Sequence, residues 1–200
     1  MKALLLSLFC MTFFHLPAKA VSHFDLTFNL GPSLNQSGSI EDLGDPNVST
    51  GIGFNYFFKD SHGFGFSYNN ESSFEGSKKF PAINDASIST FDIHYSYRWI
   101  NKKFHLVFEP GFGVQTIYDE SNDYYWGYYY YDDLSTSWIL NYKIFGRYMI
   151  TEWDPGDGTM SNNFFLGAGI IQHFSFNDDY NGRDISGNRL AALFQIGIGW

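Results

Sequence analysis

Cysteine is almost missing from this chain. Cys10 is the single one, and it lies within the first twenty residues. A disulfide framework and a thiolate metal site are therefore excluded from everything that follows that stretch. Basic residues are scarce as well: 12 Lys and Arg stand against 21 Asp and Glu, a formal charge of −9. That is the wrong sign for a nucleic-acid partner. Beyond the first twenty residues no run of about 18 apolar residues occurs, so no membrane helix is expected. The His and Asp residues lie on separate segments without ligand spacing, and neither a metal nor a cofactor is expected. Asp154-Pro155-Gly156-Asp157-Gly158 lacks the alternating oxygen ligands of a calcium loop and reads as a turn.

The first twenty residues read as an export signal. Lys2 gives a positive start, Ala3 to Leu16 is almost wholly apolar, and Ala18-Lys19-Ala20 supplies the small-x-small pattern of a cleavage site. The expected division is 1–20 signal peptide and 21–200 a single domain. Cleavage would remove Lys2 and Lys19 and take the formal charge from −9 to −11.

What the chain has in abundance is aromatic residues, 20% of the total, and many of them alternate with small or polar ones. The clearest case is Phe91, Ile93, Tyr95, Tyr97 and Trp99 against Asp92, His94, Ser96 and Arg98. Eight such segments can be traced, at about 23–33, 51–58, 63–70, 91–99, 104–115, 137–148, 163–177 and 190–200. The connections between them alternate long and short. Period-two alternation, no helical span and that rhythm predict an all-β fold: an eight-stranded, antiparallel, up-and-down transmembrane β-barrel in the bacterial outer membrane. A soluble β-sandwich has little use for so many charges opposite its aromatic faces. Trp99, Phe104, Tyr148, Trp153, Phe164 and Trp200 fall at segment ends, where an interfacial girdle is expected. The sequence stops on Trp200 after alternating apolar residues, an ending similar to the assembly signal of outer-membrane barrels. Expected partners are membrane lipids, lipopolysaccharide and the assembly machinery, with the protein a monomer.

The inward faces carry Asp25, Asp92, His94, Arg98, His105, Glu109, Lys143 and Arg147. An eight-stranded barrel is just wide enough to be filled by side chains, and buried charges persist only when paired. An ionic core is therefore expected. A two-residue turn at Asn101-Lys102 would set Arg98 opposite His105 and His94 opposite Glu109. The third long loop holds Asp119, Glu120, Asp123, Asp132 and Asp133 around Tyr124-Tyr125-Trp126-Gly127 and Tyr128 to Tyr131. It offers either an interaction surface or aromatics packed on one another.

Late in segment seven comes His173-Phe174-Ser175. Residues two apart on a strand share a face, so an imidazole can act as base for a hydroxyl. Asp178 and Asp184 are candidates to orient the His, and Asn177 to hold an oxyanion. The motif is similar to the His-x-Ser-Asn signature of the lipid A 3-O-deacylase family. Glu109-Pro110-Gly111-Phe112-Gly113-Val114 likewise resembles that family's Glu-x-Gly-x-Gly-Val strand. The likeness covers roughly the last 95 residues. It implies an eight-stranded outer-membrane barrel with Ser175 as nucleophile and His173 as base, both facing lipid. Two departures stand out: Phe176 takes the place of the usual Asn, and Gly187, Asn188 and Arg189 include no acid. Segment seven has two readings. One turns Phe165, Ile171, His173 and Ser175 outward with Gln172 inside. The other turns Leu166, Ala168, Ile170, Phe174 and Phe176 outward with His173 inside. The functions open at this point are a lipid A acyl-ester hydrolase, a non-enzymatic barrel with an interaction or protective role for its loops, and a conduit for small hydrophobic molecules, which needs a lateral opening.

Overall fold

The computed structural model describes residues 23–38, 45–75, 86–119, 124–125, 128–129, 132–153, 162–176, 179–180, 183–184 and 186–200. Eight long strands carry the fold: β1 (Phe24–Gly38), β2 (Asp45–Lys59), β3 (His62–Glu75), β4 (Ala86–Asn101), β5 (Phe104–Asp119), β6 (Asp132–Trp153), β7 (Asn162–Phe176) and β8 (Gly187–Gly199). Each pairs antiparallel with its neighbours in sequence, and β1 pairs with β8 to close the barrel. At the closing pair, the N–H groups of His23 and Phe24 both donate to the Trp200 carbonyl at 2.9 Å, and the Phe24 and Trp200 rings stack at 5.9 Å.

The strands run 13 to 22 residues, whereas about 9–11 suffice to cross a bilayer. The excess lies at the end of the long connections. There the strands reach into stretches that alternation alone had marked as loops, including Glu71 and Arg189. Two-residue ladders continue two of these hairpins: Tyr124–Tyr125 with Tyr128–Tyr129, and Asp179–Tyr180 with Arg183–Asp184. At the other end two connections are tight turns, at Asp60-Ser61 and Lys102-Lys103.

The second turn corrects the expected pairing. Asn101 lies opposite Phe104, so Arg98 faces Val107 and His94 faces Gly111. The shift is two residues, which moves every partner but leaves each side chain on the same face.

Alternation sorts the side chains. Outside are Phe28, Leu30, Ile52, Phe64, Phe66, Phe91, Ile93, Leu106, Phe112, Leu140, Phe194 and Ile196, all at least 40% exposed. A continuous apolar belt of this extent suits lipid rather than water. Trp99, Phe104, Tyr148 and Phe164 stand at the short-turn end of the belt. Gln172 breaks the pattern by facing outward, where the Tyr142 hydroxyl donates to its Oε1.

The rows of the sheet climb as they go round. Starting at Asp25, successive partners are Asn55, Gly65, His94, Gly111, Asn141, His173, Arg189 and Gln36. The row thus returns to β1 eleven residues further along, one of them belonging to the bulge between Ser33 and Asn35. This stagger is what tilts the strands of a closed barrel, and it lines the spiral with polar side chains from one end to the other.

Candidate functional site

The interior contains four buried acids, Asp25, Glu71, Asp92 and Glu109, and four buried bases, Arg98, Lys143, Arg147 and Arg189, among the described residues. The formal charges cancel. Every acid has a base within salt-bridge distance, as burial of charge demands.

Nearest the short turns, Asp25 Oδ2 takes Arg147 at 3.0 Å and Arg98 at 3.4 Å. Arg147 also donates to Gln195 at 2.6 Å and reaches Glu109 at 3.5 Å. Each guanidinium sits over an inward ring: Arg98 over Phe57 at 3.9 Å and Arg147 over Phe165 at 4.9 Å. Cation–π contact of this kind covers the flat faces that hydrogen bonds cannot. His105 is buried in this layer too.

In the middle, Lys143 Nζ donates to Asp92 Oδ1 at 2.8 Å and to Ser67 Oγ at 2.6 Å. Asp92 also receives Ser67 Oγ at 2.5 Å and lies 2.8 Å from His94 Nδ1. The other His94 nitrogen meets Asn55 Oδ1 at 2.8 Å, while the Asn55 amide donates to Glu109 at 3.0 Å. The His94–Asn55 contact passes directly over Gly65. A Cβ there would fall 2.1 Å from Asn55 Oδ1 and 2.5 Å from His94 Nε2. His94 and Glu109 come within 3.9 Å, although they are not opposite one another in the ladder.

Toward the long connections a third cluster forms around Glu71. Its carboxylate lies 2.7 Å from Arg189 and 3.4 Å from His173 Nδ1. Arg189 also donates to Gln115 at 2.7 Å. His173 is 1% and Ser175 6% exposed, both inside the barrel. Leu166, Ala168 and Phe176 face outward, which is the second of the two readings of segment seven. Gln172 had argued for the first, but its amide is met by Tyr142 on the outer wall. Ser175 Oγ accepts from the Gly187 N–H at 3.0 Å and donates to the Gly187 carbonyl at 3.3 Å. His173 Nε2 has no hydrogen-bond partner among the described residues.

Asp92, His94, Arg98, Glu109, Lys143 and Arg147 are thus brought into one connected network. Asp184 lies in a two-residue ladder opposite Asp179. Asn177 and Asp178 fall outside the described residues. Glu71, Arg189, Asn55 and Gln195 were not among the residues expected from sequence to matter. Continuing the period of two beyond the apolar part of β3, through Ser67 and Asn69, reaches Glu71. Going back from Gln195 through Leu193 and Ala191 reaches Arg189. The interior is also less uniformly polar than expected: Phe145, Ile171, Ala191 and Leu193 form a buried apolar cluster on the wall of β6–β8.

No protein-family model matches the chain, and no curated protein does. Among solved structures it is similar to Neisserial surface protein A, with a TM-score of 0.66 over 91% of this chain and 100% of that one at 13% identity. It is also similar to Ail, the attachment invasion locus protein of Yersinia pestis, with a TM-score of 0.49, 13% identity and coverage of 89% and 99%. OprG of Pseudomonas aeruginosa gives a TM-score of 0.44, 13% identity and coverage of 92% and 98%. At such identities the likeness concerns the fold, and the first of the three carries it. Taken with the lipid-facing belt, it makes this chain a small outer-membrane β-barrel of eight strands.

Proposed function

We propose that the protein is a non-enzymatic outer-membrane barrel whose outer hairpins form its interaction surface. The observation that carries this reading is the filled, charge-balanced interior, which includes both His173 and Ser175. An acyl ester in the surrounding lipid meets neither group, because the barrel wall stands between. Recognition is then left to the long connections. In the third of them Tyr124 pairs with Tyr129 and Tyr125 with Tyr128, between flanking acids. Tyrosine gives a large contact area at low entropic cost. Its last strand, with Phe194, Ile196 and Ile198 alternating toward lipid, is the segment offered to the outer-membrane assembly machinery.

A second reading is a lipid A esterase with Ser175 as nucleophile and His173 as base. One observation favours it: Glu71 lies against His173 Nδ1, as an orienting acid would, while Nε2 has no hydrogen-bond partner among the described residues. Glu71 would take the orienting role in place of Asp178 or Asp184, with Asn177 the oxyanion candidate. The substrate would have to enter through the outer mouth of the barrel. Mass spectrometry of lipid A from cells with and without the protein separates the two readings. Unchanged acylation is expected. Loss of an ester-linked chain that Ser175→Ala prevents would overturn the non-enzymatic reading and establish the esterase.

A further inference from the structure

We infer that the outer wall of β6 and β7 is a contact face for a second copy of this chain, joined by hydrogen bonds between the two Gln172 carboxamides. Tyr142 and Gln172 are partners in the β6–β7 ladder. Both are half-buried and turn outward, since Asn141, Lys143, Ile171 and His173 beside them are buried within the barrel. The Tyr142 hydroxyl donates to Gln172 Oε1. That bond takes up one lone pair of the carboxamide oxygen and leaves the other open. The N–H groups of Gln172 Nε2 have no partner among the described residues.

Depth decides what can meet this carboxamide. The rung Val114–Trp138–Phe176 is the last apolar one on this wall before Thr116 pairs with Thr136. At the other end Phe104, Tyr148 and Leu166 form one rung of the girdle. On β6, Tyr142 lies four residues from Trp138 and six from Tyr148. With tilted strands that is about 10 Å from one boundary and about 15 Å from the other. The pair therefore lies well inside an apolar band that is about 25 Å tall in such barrels. Its neighbours are apolar: Ile144 with Ile170 on the adjacent outward rung, and Leu190 opposite Gln172 on β8. Water and lipid headgroups stay above this level, and the saturated part of an acyl chain carries no acceptor. A donor left unspent in hydrocarbon is costly, and amide side chains at such depth hydrogen-bond across protein–protein contacts.

Symmetry selects the second copy. Two copies inserted with the same orientation close into a pair about a two-fold axis along the membrane normal. On that axis each residue meets its own counterpart at equal depth. A carboxamide is self-complementary there: each Nε2 donates to the other copy's Oε1, at the lone pair that Tyr142 leaves open. Ile170 and Phe174 flank Gln172 on the same face of β7 and pack against their counterparts. A two-fold pair thus takes the place of the monomer expected from the sequence.

The test expresses the full chain in cells and cross-links it in the intact membrane with copper phenanthroline as oxidant. Ile170→Cys places a thiol one rung from the axis. Phe66→Cys places one on the opposite wall, where Phe66 is 48% exposed. The unsubstituted chain, with Cys10 its one cysteine, sets the background. Ile170→Cys should give a disulfide-linked dimer above that background, and Phe66→Cys should not. In liposomes, energy transfer between labelled copies at falling protein-to-lipid ratio reads the association constant. Gln172→Leu should weaken it roughly ten-fold, with the variant's folding checked by its heat-modifiable migration on gels. An unsubstituted barrel that stays monomeric at every protein density, so that lipid alone covers Gln172, overturns the proposal. So does equal cross-linking at the two positions, or an association that the folded Gln172→Leu variant keeps.

Discussion

A buried charge has no alternative to its partner, and Lys143 shows this most clearly. Its ammonium is shared between Asp92 and Ser67, with His94 at 3.3 Å. Lys143→Met takes the ammonium partner away from buried Asp92, and should cost about 3–5 kcal/mol in urea unfolding from detergent. Removing both charges in Lys143→Met with Asp92→Leu should cost less than the sum of the two single changes, since the pair acts as a unit. Additive losses would mean that the two groups are not coupled. Gly65 is the second residue whose role follows from contact. Gly65→Ala inserts a methyl where Asn55 and His94 meet, and should destabilise by about 1–3 kcal/mol. Gly146→Ala, facing the Phe104 ring at 3.3 Å on the outer wall, should stay within about 0.5 kcal/mol. Sequence alternation could read Lys143, Asp92 and His94 as inward, because a period of two needs no knowledge of partners. It could not read Glu71 against His173, because that contact joins β3 to β7 across the barrel. Gln172 kept the facing of β7 open for a related reason: a polar side chain suggests the inside until its capping hydroxyl, on the neighbouring strand β6, is known.

At the level of the strand and turn, faces were legible and registers were not. Every aromatic of β4 turned toward lipid, as expected, yet the turn that joins β4 to β5 lies one residue later than its composition suggested. The two-residue turn was expected at Asn101-Lys102 and lies at Lys102-Lys103. Its left-handed residue is Lys102. An L side chain in that conformation costs roughly 1–2 kcal/mol. Lys102→Gly should therefore raise the urea midpoint, by about 1 kcal/mol of stability, and Lys102→Val should lower it. A change of the opposite sign in the glycine variant would show that the lysine side chain does more for the turn than its backbone costs. The strands also outran the sequence reading at their outer ends. There the outward residues are no longer apolar, and alternation in polarity, the signal being followed, fades before the hydrogen bonding does.

Taken as a whole, the barrel is a neutral plug inside an acidic molecule. Its interior charges cancel, so the net −9 of the chain resides on its connections and ends. The barrel reconstituted in planar bilayers should pass no steady ionic current, because buried pairs such as Arg147 with Asp25 and Glu109 tie strands together across the interior. Stable conductance steps that survive repeated purification would show that the plug opens. Salt should shift the behaviour of the outer hairpins while leaving unfolding of the barrel nearly unchanged, since buried pairs are screened far less than exposed ones.

The closing ladder between β1 and β8 also fixes an order in time. β1 is made first and β8 last, yet each is the other's neighbour. Every other pair joins strands that follow one another in the chain. The free edge of β1 has six strands between it and its partner in the chain. Without β8 it would present unpaired N–H and C=O groups, a template for joining the wrong chain. That edge is covered only when the final strand arrives, so a substitution that weakens β8 exposes β1 as well.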